Sequence, residues 1–169
     1  MEFPAAQLPA DLDSSYIFIK RYDKLIRKGN NEPEIKDFSL ISKSGDDSTL
    51  QVLDKPGYLI MLISGSFPQT NPQWNKSFML IYTLAKSKNI PVILVTSNRS
   101  EAGAWLKANN LNISVFGCDA TAVKTAARAD PTLYLLKKGT ILDKWSYANL
   151  ELAFPFLAEL PEQNTYSQP

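Results

Sequence analysis

The stretch DPTLYLLKKGTILDKWSY, residues 130–147, decides the fold. Residues 132–136 are an apolar run of strand length. Lys137, Lys138 and Gly139 make a turn, and residues 141–147 return. Two strands joined by a short glycine-containing turn predict a β-hairpin. Asp130-Pro131 stands just ahead of it and halts any helix, because the residue before a proline disfavours the α region.

Reading outward from the hairpin, two further runs, YLIMLIS at 58–64 and PVILVT at 91–96, are apolar on both faces. Such strands sit at the centre of a sheet with helices on each side. Between them, Trp74, Phe78, Ile81, Tyr82, Leu84 and Ala85 recur at helical spacing over residues 73–87. Asn71 is the expected N-cap of that helix and Pro72 its first residue, with Lys86 and Lys88 near the C-terminal end. A helix over 101–108, a strand over 113–116 and a helix over 120–129 capped by Asp119 follow. Beyond the hairpin, Asn149 is expected to cap a last helix over 150–160, bent at Pro155. The order is βαβ, then helix–strand–helix, then hairpin and helix. It predicts the α/β class, as a three-layer α/β/α domain with a mixed central sheet.

The rest of the chain divides around that domain. Residues 1–31 read as an N-terminal tail and a basic helical segment, residues 32–162 as the domain, and 163–169 as a frayed C-terminal tail. The basic segment carries Lys20, Arg21, Lys24, Arg27 and Lys28 against Asp23. A solvated helix face is the preferred reading, with an anionic membrane or partner as the alternative. Residues 32–42 alternate loosely as an edge strand, 44–47 turn, and 49–53 return as a short strand or turn.

Composition excludes whole classes of function. Eighteen basic residues face seventeen acidic ones in a chain of 169 residues, for a net charge of +1. That balance predicts no nucleic-acid partner, and it leaves homotypic contacts open. There is one cysteine, Cys118, and no histidine. An intramolecular disulfide, a Ser-His-Asp triad, a Cys-His dyad and an imidazole metal site are all ruled out. Asp46, Asp47 and Asp54 lack the spacing of a calcium loop, so neither metal nor cofactor is expected. No run approaches the roughly 20 apolar residues of a membrane span, and the first residues have no signal-peptide pattern. Taken alone this points to the cytoplasm, unless the chain is the edge of a longer protein.

Element order and local motif together resemble the thioredoxin-like fold in its TlpA/ResA and peroxiredoxin-like branch. Asp130-Pro131-Thr132, the apolar strand and the Lys-Gly turn resemble that fold's cis-proline segment. Glu34 to Leu40 resembles the opening of TlpA-type domains, and residues 101–116 fill the insertion of that branch. Arg128-Ala129-Asp130-Pro131-Thr132 through Lys144-Trp145-Ser146-Tyr147 also resembles the C-terminal soluble domain of Bacteroidetes DoxX-family membrane proteins. That second resemblance implies an extracytoplasmic piece of a membrane protein with a membrane domain upstream. The first implies a cis bond at Pro131 and a peptide-binding face beside the redox motif.

The departure from the family lies in the motif itself. Dithiol exchange needs two thiols after the first core strand, at the start of the next helix. Asn71-Pro72-Gln73-Trp74 stands there, without sulfur. Cys118 is the one weak catalytic candidate, as a single-thiol oxidoreductase or peroxidase. A free cysteine is more often a small buried hydrophobe, and Asp119 beside it opposes the thiolate. The leading expectation is therefore a non-catalytic binding or accessory module of a redox or envelope system. Ser66, Asn71, Gln73, Trp74, Asp130, Pro131 and Thr132 would form its face for a protein or peptide partner. A structural or oligomerising domain is the third possibility. Trp74, Trp105 and Trp145 line a groove in one reading and pack against the sheet in the preferred one.

Overall fold

The computed structural model describes residues 38–67 and 72–163, with side chains at 72 and 73 left aside. They fall in the compact unit Glu34–Pro169. The elements run α1 (Thr49–Leu53), β1 (Tyr58–Ile63), α2 (Pro72–Ser87), β2 (Val92–Thr96), α3 (Arg99–Ala108), β3 (Ser114–Gly117), α4 (Ala120–Ala126), β4 (Thr132–Lys137) and β5 (Thr140–Ser146). A 3-10 helix (Tyr147–Leu152) and α5 (Ala153–Ala158) complete them.

The five strands form one mixed sheet in the order β3-β2-β1-β4-β5. β1 pairs parallel with β2, and β2 with β3, while β4 runs antiparallel to both β1 and β5. The two runs apolar on both faces thus take central places, because only a strand covered on both sides buries every residue. Alternation along the strands sends Ile60, Leu62, Leu94, Leu133 and Leu135 to one face. There they meet Phe78 and Ile81 of α2, Leu106 of α3 and Leu157 of α5. Met61, Ile63, Ile93, Val95 and Leu136 point the other way, towards Val52 of α1 and Ala122 and Val123 of α4. The result is a three-layer α/β/α domain.

Local chemistry explains the boundaries. Asn98 caps α3 by accepting from the Glu101 N–H, and Asp119 caps α4 by accepting from Thr121 and Ala122 N–H. Chain reversal in the hairpin uses Lys138 (φ 48°) and Gly139 (φ 73°), both left-handed, as a tight two-residue turn requires. Gln163 ties the far end of the chain to the start of β1. Its side chain accepts from Tyr58 N–H at 2.8 Å and donates to Tyr58 C=O at 2.9 Å, while its own N–H reaches Lys88 C=O at 2.9 Å.

Several expectations need correction. Residues 49–53 are helical, with Val52 turned into the core. Of the expected edge strand over 32–42, the described part contributes only bridges from Ile41 to Asp47 and Gly117. The helix expected over 120–129 stops at Ala126, because Ala127 (φ −105°, ψ 64°) leaves helical geometry to reach Pro131. Residues 150–160 are not one helix bent at Pro155. The break lies at Asn149 (φ −133°, ψ 27°), inside the 3-10 segment, and Ser146 holds the N-cap position. Pro155 sits in the first turn of α5, where a missing N–H costs nothing. Gln163, the first residue of the expected tail, is held by four hydrogen bonds. The tail and basic segment expected over 1–31 lie outside the described residues, as does the Asn71 cap.

Candidate functional site

The C-terminal ends of β1 and β2 and the N-terminal end of β4 meet at one edge of the sheet. The segment leaving β1, residues 64–67, is closed from both sides. On one side stands the Asp130 carboxylate. Ser64 is fully buried, and its hydroxyl lies 2.6 Å from Asp130 Oδ1 and also contacts Ser66 C=O. Its single proton serves one of these acceptors at a time. The Gly65 N–H points at both carboxylate oxygens at 3.1 Å, and the Ser66 N–H and hydroxyl each reach Oδ2 at 3.1 Å. Glycine is suited to position 65, since a Cβ there would stand 3.3 Å from Asp130 Oδ2.

Glu101 closes the other side. It occupies the first turn of α3, where its carboxylate accepts from the Phe67 N–H at 3.0 Å and from Asn98 Nδ2 at 3.0 Å. With the Asn98 cap this makes a reciprocal capping arrangement that extends to a loop from another part of the chain. Phe67 is thereby held over an aromatic cluster. Its ring lies 5.4 Å from Trp105, which stacks on Trp74 at 5.5 Å and meets Phe78 at 5.7 Å. Trp74 is 2 % exposed, and its indole N–H has no hydrogen-bond partner among the described residues.

Asp130 and Pro131 are joined by a cis peptide bond. Pro131 and Thr132 are buried behind it, the Thr132 hydroxyl donating to Ala129 C=O at 2.6 Å. Among the described residues, the Asp130 N–H donates no hydrogen bond and its C=O accepts none.

Of the residues expected to form a face, Ser66 and Asp130 are in direct contact, and Pro131 and Thr132 adjoin them. Trp74 lies beneath, in the core. Asn71 and the Gln73 side chain lie outside the described residues. Phe67 lies within the expected face over 66–74; sequence reasoning missed Ser64, Gly65 and Glu101. The Asn98-x-x-Glu101 spacing is that of a helix cap, but nothing in it tells that Glu101 also reaches Phe67.

Cys118 follows β3 and is 9 % exposed. It packs in the second core layer with Leu40, Val95 and Val123, and its N–H donates to Thr96 C=O at 3.0 Å. Burial pushes its thiol pKa up, and the Asp119 charge adds to that, against smaller lowering from backbone hydrogen bonds at Ser39 and Asp119. The start of α4 does not serve the sulfur, because Asp119 takes the Thr121 and Ala122 N–H groups for itself, which also lowers the Asp119 pKa. At this edge the arrangement can hold a loop and present backbone. No sulfur stands in residues 64–74. Among the described residues, no three acidic or thiol side chains converge to hold a metal ion. No described helix is long and apolar enough to cross a membrane.

Comparison with known proteins bears on the fold. Residues 1–28 match a family described as a domain of unknown function (DUF8463). No curated protein matches the sequence. Among solved structures, peroxidoxin BcpB from Mycobacterium tuberculosis is similar with a TM-score of 0.54 at 13% identity, over 73% of this chain and 90% of that one. A thiol:disulfide interchange protein from Bacteroides sp. gives 0.53 at 12% identity, over 76% and 88%. A thiol-disulfide oxidoreductase from Bacteroides fragilis gives 0.50 at 20% identity, over 71% and 96%. At these identities the likeness is one of fold: the chain has a thioredoxin-like α/β architecture.

Proposed function

We infer that the chain is a non-catalytic thioredoxin-like module that docks an extended partner segment at the edge built by Ser66 and residues 129–132. The observation that carries this reading is the closed, sulfur-free segment after β1. Dithiol exchange requires two thiols between β1 and the start of α2; residues 64–74 hold none, and the part next to β1 is tied down by the Asp130 hydrogen bonds to Ser64, Gly65 and Ser66. The Asp130 backbone groups, unpaired among the described residues, support docking by main-chain pairing, as peptides dock on other exposed edges. Against a single-thiol enzyme stand the burial of Cys118 and its raised pKa.

Reduction of a disulfide peptide by dithiothreitol tests the first part. Wild type and Cys118→Ser should both leave the uncatalysed rate unchanged; catalysis by wild type that Cys118→Ser abolishes would overturn it. For docking, peptides selected from a display library on wild type should lose binding to Ser66→Trp, which fills the edge. Selected peptides that bind both equally would place docking elsewhere.

Association with a membrane redox or envelope protein, outside the cytoplasm, belongs to the same reading. Its support is the sequence resemblance of residues 128–147 to the soluble domain of DoxX-family proteins. A reporter fused to the natural gene product, active only outside the cytoplasm, decides between that and a cytoplasmic location.

An oligomerising role has one observation in its favour. Ile141 and Leu142 on the edge strand β5, and Leu152, Phe154 and Phe156 nearby in sequence, are exposed. Light scattering that shows a dimer at micromolar concentration would favour this role over peptide docking.

A further inference from the structure

The cis-proline segment has a second side. Below it, between the C-terminal end of α4 and the β4–β5 ladder, lies an open cavity of about 410 Å³. Its floor is set by strand register. Thr132 pairs with Ser146 and Tyr134 with Lys144, so these four side chains share one face of the sheet. Arg128 and Asn149 stand at its margin.

The hydrogen-bonding capacity of this lining is lopsided. The Tyr134 hydroxyl donates to Ala126 C=O at 2.6 Å, and the Thr132 hydroxyl to Ala129 C=O at 2.6 Å. Both hydroxyls are therefore spent, as is that of Thr125, which donates to Thr121 C=O at 2.8 Å, and the Ala126 and Ala129 carbonyls that would repel an anion are covered. Ser146 Oγ lies 2.7 Å from Asn149 Oδ1. A hydroxyl there can only donate to the amide oxygen, which leaves the Asn149 NH₂ free. Among the described residues, what remains unspent is the Arg128 guanidinium, the Lys144 ammonium and the Asn149 amide, all of them donors, and no carboxylate of the described residues lines the cavity.

A cavity whose free groups are donors, two of them cationic, selects a ligand rich in acceptors and negative in charge. We propose that this groove is a binding site for a small anionic group of the carboxylate or phosphate class, held between Arg128 and Lys144. Arg128 supplies the planar fork that grips two oxygens, and Lys144 a point charge. This site borders the docking edge at Ala129 and Thr132, but its cations, Arg128 and Lys144, are not part of that edge, and it stands or falls without the docking reading.

Calorimetric titration with citrate and with inorganic phosphate, each at constant ionic strength, tests the proposal and separates the two sources. At least one probe should bind saturably to wild type. Arg128→Gln and Lys144→Gln should each weaken that binding about tenfold, the loss of one charge-assisted contact. Lys124→Gln, an exposed cation of α4 that does not line the cavity, should leave it unchanged. All three positions are exposed, so unchanged melting temperatures will certify folding. No saturable binding of either probe overturns the proposal. So does equal weakening by Lys124→Gln, which marks diffuse attraction, or undiminished binding by Arg128→Gln.

Discussion

Replacing Asp130 by alanine should destabilise the domain by about 2–3 kcal/mol. The carboxylate serves four donors: the Ser64 hydroxyl, the Gly65 N–H, and the Ser66 N–H and hydroxyl. Ser66 is exposed, so its two donors recover bonds to water and contribute about 0.5 kcal/mol or less each. The Gly65 N–H is half-buried and loses a charge-assisted bond worth about 1 kcal/mol. Ser64 is fully buried, but Ser66 C=O offers its proton a second acceptor, which caps the loss at about 1 kcal/mol. Urea unfolding followed by tryptophan fluorescence reads the sum. With a slope of about 1.5–2 kcal/mol per molar, the midpoint should fall by about 1–2 M. Asp130→Asn keeps one acceptor and should lose about half as much. A midpoint for Asp130→Ala within about 0.3 M of wild type would refute the reasoning, because the clasp would then hold nothing.

Two further outcomes follow from the core. Trp105→Ala removes the ring that Phe67, Trp74 and Phe78 share, and should cost about 3–5 kcal/mol in the same assay and weaken near-ultraviolet dichroism; a loss under about 1 kcal/mol would mean that the cluster is not packed. Cys118 should resist iodoacetamide until the chain is unfolded. Its folded pKa is raised, so its contribution to stability is complete below the unfolded thiol pKa of about 8.5 and declines as pH rises through it. Urea midpoints taken at neutral pH and near pH 9.5 should therefore show a decline that Cys118→Ala lessens; an equal decline in both proteins would contradict the burial argument.

The layers were legible because they follow from periodicity. A run such as YLIMLI cannot satisfy water on either face, and Lys138-Gly139 between two strands leaves few alternatives to a hairpin. Helix ends were less legible. Where α4 stops is set by the route to Pro131, and the break at Asn149 by how Leu150 and Ala153 reach the core. Propensity carries neither fact. At the candidate site, Asp130 and Ser66 were singled out by their place in a motif. Ser64 and Glu101 were not, since their contacts span 66 and 34 residues of sequence respectively. The groove under Arg128 was invisible for the same reason: its donors become spare only once Tyr134 and Ser146 have chosen their partners.

Gln163 brackets the first residue of β1, whereas the docking edge begins just past the last. A six-residue strand separates them, about 20 Å of rise. A surface anchor or affinity handle attached at the Gln163 side of β1 would therefore lie at the pole opposite the Asp130 edge. Immobilised that way, the molecule would stand with that edge turned outward, an orientation that amine coupling through its scattered lysines would randomise.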